Sequence, residues 1–241
     1  MYDLRWFFAI AFLMLFVPKN LVGQSNTFYR SDQLWVDFNP SWNVGQGKKI
    51  IADVDYRLIW PRSWNRFVVR AGYQYRVYNF LFKKIKTDED FSVGLGFFYT
   101  ARLEGSNSYE VRPYQGYKVS FLLNQNWKMK HYLRFEERIG VAPEQKESSF
   151  DVRVRYQIGT EYYIRNKQSG AGFYIPLSVE FFFNLFSESG VNDVLRLTPG
   201  LGYQINSDFK IQATLGYHFT QFKTAGLNAV VYRVSMYKTI F

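Results

Sequence analysis

Arginine and glutamate alternate with other residues in Arg134-x-Glu136-x-Arg138, and arginine does so again in Arg153-x-Arg155. On an extended chain this spacing sends the charged side chains to one face. Two such segments side by side would pair charge across strands. The chemistry open to the cluster is electrostatic: it can hold the wall of a cavity together, or draw anions into it. Covalent chemistry has less to work with. The chain has no cysteine and two histidines, His131 and His218. Disulfides, thiolate nucleophiles and thiolate metal sites are therefore excluded, and donors for a transition metal are too few. His218 shares its phase with Thr214 and Thr220 and reads as a hydrogen-bonded wall residue, since a catalytic base must be oriented by a further group. GLGFF (94–98) and GLGYQ (200–204) lie within strand patterns, where a Gly-x-Gly does not cradle phosphate. No enzymatic activity, metal or cofactor is expected.

Followed along the chain, the same phase collects thirteen cations: Arg57, Arg70, Arg76, Arg102, Arg112, Lys118, Arg134, Arg138, Arg153, Arg155, Arg196, Lys210 and Arg233. Eight anions share it: Asp37, Asp53, Asp55, Glu110, Glu136, Asp151, Glu161 and Glu180. The candidate site is the network of Arg70, Arg76, Arg112, Lys118, Arg134, Glu136, Arg138, Arg153, Arg155, Glu161 and Arg196. Two roles stay open for it. It fills a narrow barrel and stiffens it, or its excess of positive charge admits small anions.

The elements that position these residues are strands. Eleven segments alternate with period two, at roughly 32–43, 48–60, 67–78, 90–103, 109–123, 129–140, 150–164, 173–185, 194–205, 209–222 and 229–241. No later stretch has helical periodicity, and nothing marks a second domain. NSD (206–208) and NQN (124–126) read as short turns on one rim, APEQKESS (142–149) and FSESGVND (186–193) as longer loops on the other. Bacterial barrels usually have an even strand count. The expectation is therefore about twelve strands, within ten to twelve, with 27–31 or 79–86 supplying the missing one. Pro113, Pro176 and Pro199 fall inside strands and imply ends or bulges.

In FDVRVRYQIGTEYYI (150–164), Val152, Val154, Tyr156 and Ile158 take one side; Asp151, Arg153, Arg155 and Gln157 take the other. Alternation alone does not say which side faces outward. Glycine does. Gly72, Gly94, Gly96, Gly116, Gly159, Gly200, Gly202 and Gly216 all fall on the polar phase, where they would make room for long side chains inside a barrel. The polar phase is thus expected inside and the apolar phase against lipid. Trp42, Trp60, Trp64, Trp127 and Tyr109, near strand ends, suit interfacial girdles. His131 and Glu137 share the apolar phase and are expected at a rim. The terminal Phe241 falls in phase with Arg233 and Ser235, so it needs a bulge to face outward.

Trp6 to Val17 is the long apolar run, too short for a membrane helix and suited to a secretory signal peptide. Residues 1–23 are expected as signal and 24–241 as a single barrel. Net charge is +10, but the positive residues are interleaved singly along strands and form no nucleic-acid-binding patch.

LWVDF (34–38), RAGYQY (70–75), SVGLGFFY (92–99), EVRPYQGY (110–117) and RFEER (134–138) resemble domain of unknown function 2490. The most specific element is Arg112 to Gln115, followed about twenty residues later by Arg-x-Glu-x-Arg. These motifs cover residues 34 to about 140; the last hundred residues match in strand rhythm alone. The resemblance implies a signal-bearing outer-membrane β-barrel of a Gram-negative bacterium and transfers no reaction.

The expectation is an all-β, antiparallel up-and-down transmembrane barrel, non-enzymatic, in contact with outer-membrane lipid and with the barrel-assembly machinery during biogenesis. Small anions are the possible cargo and nucleic acid is not a partner. The alternatives are an anion-preferring pore, a lipid-modifying enzyme using His218, and a soluble periplasmic lipid-binding barrel with its two phases reversed.

Overall fold

Dense alternation of aromatic and β-branched residues with polar ones favours strands with two unlike faces. The protein, in a computed structural model, is described at residues 31–60, 64–78, 80–82, 87–103, 105–164, 170–186, 194–221 and 226–240. The expected signal peptide, residues 1–23, lies outside the described residues. Among the described residues eleven strands follow one another: β1 (Ser31–Gly45), β2 (Lys48–Trp60), β3 (Trp64–Val77), β4 (Asp88–Arg102), β5 (Ser108–Leu122), β6 (Trp127–Ala142), β7 (Glu147–Tyr163), β8 (Gly172–Asn184), β9 (Val194–Gln204), β10 (Phe209–Gln221) and β11 (Gly226–Ile240). Each pairs antiparallel with the next, and β1 pairs with β11 to close the barrel. An odd meander ends on a strand running the same way as its first. The seam is accordingly parallel, with Ser31 opposite Ala229 and Trp42 opposite Ile240. Eleven falls within the expected range, but the wall is mixed rather than antiparallel throughout.

Among the described residues neither stretch nominated for a twelfth strand adds one. Residues 27–30 lie outside the described residues, and Ser31 opens β1. The described part of 79–86 folds back on the outer face, with Phe80 packed edge-on against Phe91 and Tyr117. The Glu89 carboxylate accepts hydrogen bonds from the Leu81 and Phe82 amides at 3.0 and 3.4 Å, and from the Tyr117 hydroxyl. Those two amides are thereby withdrawn from any ladder.

Call the rim where β11 ends the lower rim. It carries the connections 46–47, 78–87, 123–126, 164–171 and 205–208, and the upper rim carries 61–63, 103–107, 143–146, 185–193 and 222–225. The two short turns read from sequence do share the lower rim, but so do two long connections. Half of 142–149 is strand, around a 3₁₀ turn at Pro143–Gln145. The expected asymmetry of the rims does not hold.

The prolines make no bulges. Pro113, Pro176, Pro199 and also Pro40 each sit at a two-residue gap in one ladder, and the register resumes unchanged beyond it. A proline lacks one ladder donor; here the loss stays local because the opposite neighbour keeps its pairing. β11 is likewise unbroken against β10 from Gly226 to Lys238 and against β1 to Ile240, so no bulge turns the C-terminal phase. Phe241 itself lies outside the described residues.

The apolar phase faces outward. Val93 is 51% exposed, Leu95 54%, Phe173 52% and Leu215 51%, whereas Asp37, Asp55 and Glu136, on the other phase, are at 2% or below. A barrel with an apolar interior is therefore not what this chain builds. On the outer surface aliphatic residues such as Val36, Val69, Leu95, Leu177, Leu197 and Val234 lie between two sets of rings. Tyr75–Phe91–Tyr117, Trp127–Tyr162 and Phe173–Tyr203 cluster toward the lower rim. Tyr99–Tyr109, Phe150–Phe186 and Tyr217–Phe219 cluster toward the upper. His131 and Glu137 are on this surface but not at a rim. Their partners are lateral: His131 Nδ1 lies 2.8 Å from the Tyr156 hydroxyl, and Glu137 accepts from the Gln115 amide at 3.5 Å.

Candidate functional site: an arginine–carboxylate interior

Register decides which charges meet. β6 and β7 place Arg134 opposite Arg155, Glu136 opposite Arg153 and Arg138 opposite Asp151. Two arginines facing each other would repel, so a carboxylate has to lie between them. Glu136 does. It accepts from Arg155 at 2.7 Å, Arg153 at 2.5 Å and Arg134 at 3.2 Å, with Arg112 at 3.8 Å. Arg155 continues to Glu180, whose other oxygen takes Arg196 at 3.0 Å. Glu110 bridges Arg112 and Arg138 at 2.6 Å each, and Arg138 reaches Asp151 at 3.6 Å. β5, β6, β7, β8 and β9 are thus linked through one chain of charge-assisted contacts.

The remaining predicted residues form smaller groups. Arg70 meets Asp53 at 2.6 Å; Arg76 and Lys118 converge on Asp90; Glu161 takes Lys210 at 3.2 Å. All eleven candidates therefore carry an ion pair, in one large cluster and three separate ones. Their carboxylate partners Asp53, Asp90, Glu110 and Glu180 belong to the site as much as the arginines do.

Sequence reasoning missed the interior aromatics. Arg57, Arg196 and Arg233 lie over the Trp35 ring at 3.9, 5.2 and 5.7 Å, and Arg153, Arg155 and Arg196 lie over Phe182 at 5.4, 5.0 and 4.9 Å. Arg112 covers Phe98 at 3.7 Å. Guanidinium faces find in these rings a partner that needs no counter-charge. Arg196 touches both Trp35 on β1 and Phe182 on β8, so this layer reaches across the interior. A signal existed: Trp35 alternates with Asp37, and Phe182 with Glu180.

The glycines do what their phase implied. A side chain at Gly72 or Gly94 would collide with the Tyr114 ring, one at Gly202 with Tyr174, and one at Gly159 would come within 2.6 Å of the Lys130 stem. His218 is buried, edge-on to Trp35 at 5.6 Å, with Nε2 lacking a hydrogen-bond partner among the described residues. Thr214 Oγ1 lacks one too; the Thr220 side chain lies outside the described residues.

Two spaces lie on the lower-rim side of the arginine layer. The wider, about 410 Å³, runs past Asp53, Arg70, Tyr114, Lys118 and Arg134 to the turn at Asn206–Asp208. The smaller, about 130 Å³, lies among Lys130, Glu161, Glu180, Arg196, Thr214 and Arg233, and shares Lys210 and Tyr237 with the wider.

A closed strand meander, apolar outside and packed with paired charge inside, defines the class of the molecule: a β-barrel with a polar interior. The chain belongs to the family described as protein of unknown function (DUF2490), which it matches over residues 32–229. The match runs on to residue 229, well beyond the motifs that carried the resemblance. Neither a curated protein nor a solved structure matches it.

Proposed function

We propose that the protein is an integral outer-membrane β-barrel, non-enzymatic, whose interior is held closed by the arginine–carboxylate layer. Its contribution is structural, or that of a very narrow conduit. One observation carries this reading: an outward aliphatic belt flanked toward both rims by aromatic clusters, the surface a bilayer selects. The strands, 11 residues in β9 to 17 in β7, are long enough to cross hydrocarbon when tilted. Residues 1–23 would direct export, and barrel-assembly machinery would insert the chain. Cell fractionation tests location: the protein should stay with outer-membrane lipid until detergent is added. Release with the periplasmic contents would overturn the reading.

A second reading, an anion-preferring pore, is favoured by the wider space, whose walls carry Arg70, Lys118, Arg134, Lys210 and Lys238 against Asp53 and Asp208. Planar-bilayer recording separates the two. A closed barrel stays silent across salts and voltages, and a pore gives steps with anion selectivity.

A further inference from the structure

We propose that the smaller chamber is a binding site for one small oxyanion, of the phosphate or sulfate type. The inference deepens the closed-barrel reading by naming what the interior holds. The chamber, about 130 Å³, has four cations in its wall, Lys130, Arg196, Lys210 and Arg233, and two carboxylates, Glu161 and Glu180. Three of the cations are committed: Arg196 to Glu180 at 3.0 Å, Lys210 to Glu161 at 3.2 Å, and Arg233 to Asp37 at 2.6 Å. The Lys130 side chain makes neither an ion pair nor a hydrogen bond among the described residues. Its stem lies across Gly159, the one residue type that leaves space for it.

The two carboxylates are already engaged. Glu161 takes Lys210 on one oxygen and the Tyr163 hydroxyl on the other at 2.9 Å; Glu180 takes Arg155 and Arg196. Arg196 Nε and Thr214 Oγ1 in the same wall are buried without partners. A chamber with surplus donors and one ammonium that no carboxylate reaches at ion-pair distance has room for an added acceptor bearing negative charge. Access is through the wider space, whose cationic excess concentrates anions at the shared Lys210–Tyr237 edge. The strand wall keeps lipid headgroups away, so a free ion is the occupant.

The test titrates inorganic phosphate and sulfate by calorimetry into the full chain folded in detergent, with gluconate holding ionic strength constant. One saturable site per barrel is expected. Lys130→Gln should weaken it by about ten-fold or more, Lys130→Arg should retain it, and Lys146→Gln, on the upper rim, should leave it unchanged. The wild-type unfolding midpoint should rise with phosphate by linkage. Absence of saturable binding, unchanged binding in Lys130→Gln, or equal loss in Lys146→Gln would overturn the site. If Lys130→Gln does not fold, the wild-type titration decides. Heat-modifiable gel migration runs alongside, so a folded membrane barrel without the anion is distinguishable from a chain that is no such barrel.

Discussion

Glu136 is where the interior is most sensitive to a single change. Three arginines approach it within 3.2 Å and a fourth at 3.8 Å. Glu136→Gln keeps the shape and leaves the buried guanidinium groups without their shared counter-charge. A loss of about 3–5 kcal/mol is expected, read as a lower urea midpoint for the folded barrel in vesicles. Gly202→Ala tests packing instead of charge. The added methyl meets the ring of Tyr174, which is fully buried, so about 1–3 kcal/mol should be lost in the same assay. Much of this interior was legible in sequence, because period-two spacing decides which residues face inward whatever their partners. Which residues meet depends on register, which spacing does not carry. That is why Glu136 could be named while its fourfold role could not, and why Trp35 and Phe182 were overlooked among residues chosen for charge.

At the scale of elements, strand positions follow from alternation, and the eleven segments read from sequence correspond to β1 to β11. What sequence concealed is how the ends join. The parallel seam brings Val36 opposite Val234, both on the outer face. The cysteine-free background makes this testable: Val36→Cys with Val234→Cys should form an oxidant-dependent disulfide, and a twelfth strand between them would prevent it. The segment 79–86 was one of two places to look for a twelfth strand because an even count was expected. In its described part, Glu89, an apolar-phase carboxylate, captures the Leu81 and Phe82 amides. Tyr117→Phe removes one of that carboxylate's donors. It should loosen the connection by about 1.5–3 kcal/mol, seen as faster tryptic cleavage between Tyr78 and Thr87. Unchanged cleavage would mean that the Phe80 ring contacts hold the segment unaided.

The whole molecule is a sleeve with an oily outside and a charged filling, and the proposal that it sits in a membrane predicts sluggish, heat-dependent unfolding on gels in detergent. Loosening the filling should matter to passage as well as to stability. Arg155→Ala with Arg196→Ala removes two of the three guanidinium groups over the Phe182 ring and both ion-pair partners of Glu180 among the described residues. The doubly altered barrel is expected to conduct where the wild type is silent; silence in both would mean that other side chains seal the bore. The odd number of staves has an outcome of its own. β1 departs from the upper rim and β11 arrives at the lower, so the polypeptide enters and leaves the wall through different mouths. If the proposed outer-membrane setting holds, epitope tags placed just before Ser31 and just after Ile240 will stand in separate compartments, one reachable by antibody on intact cells and the other hidden until the envelope is breached.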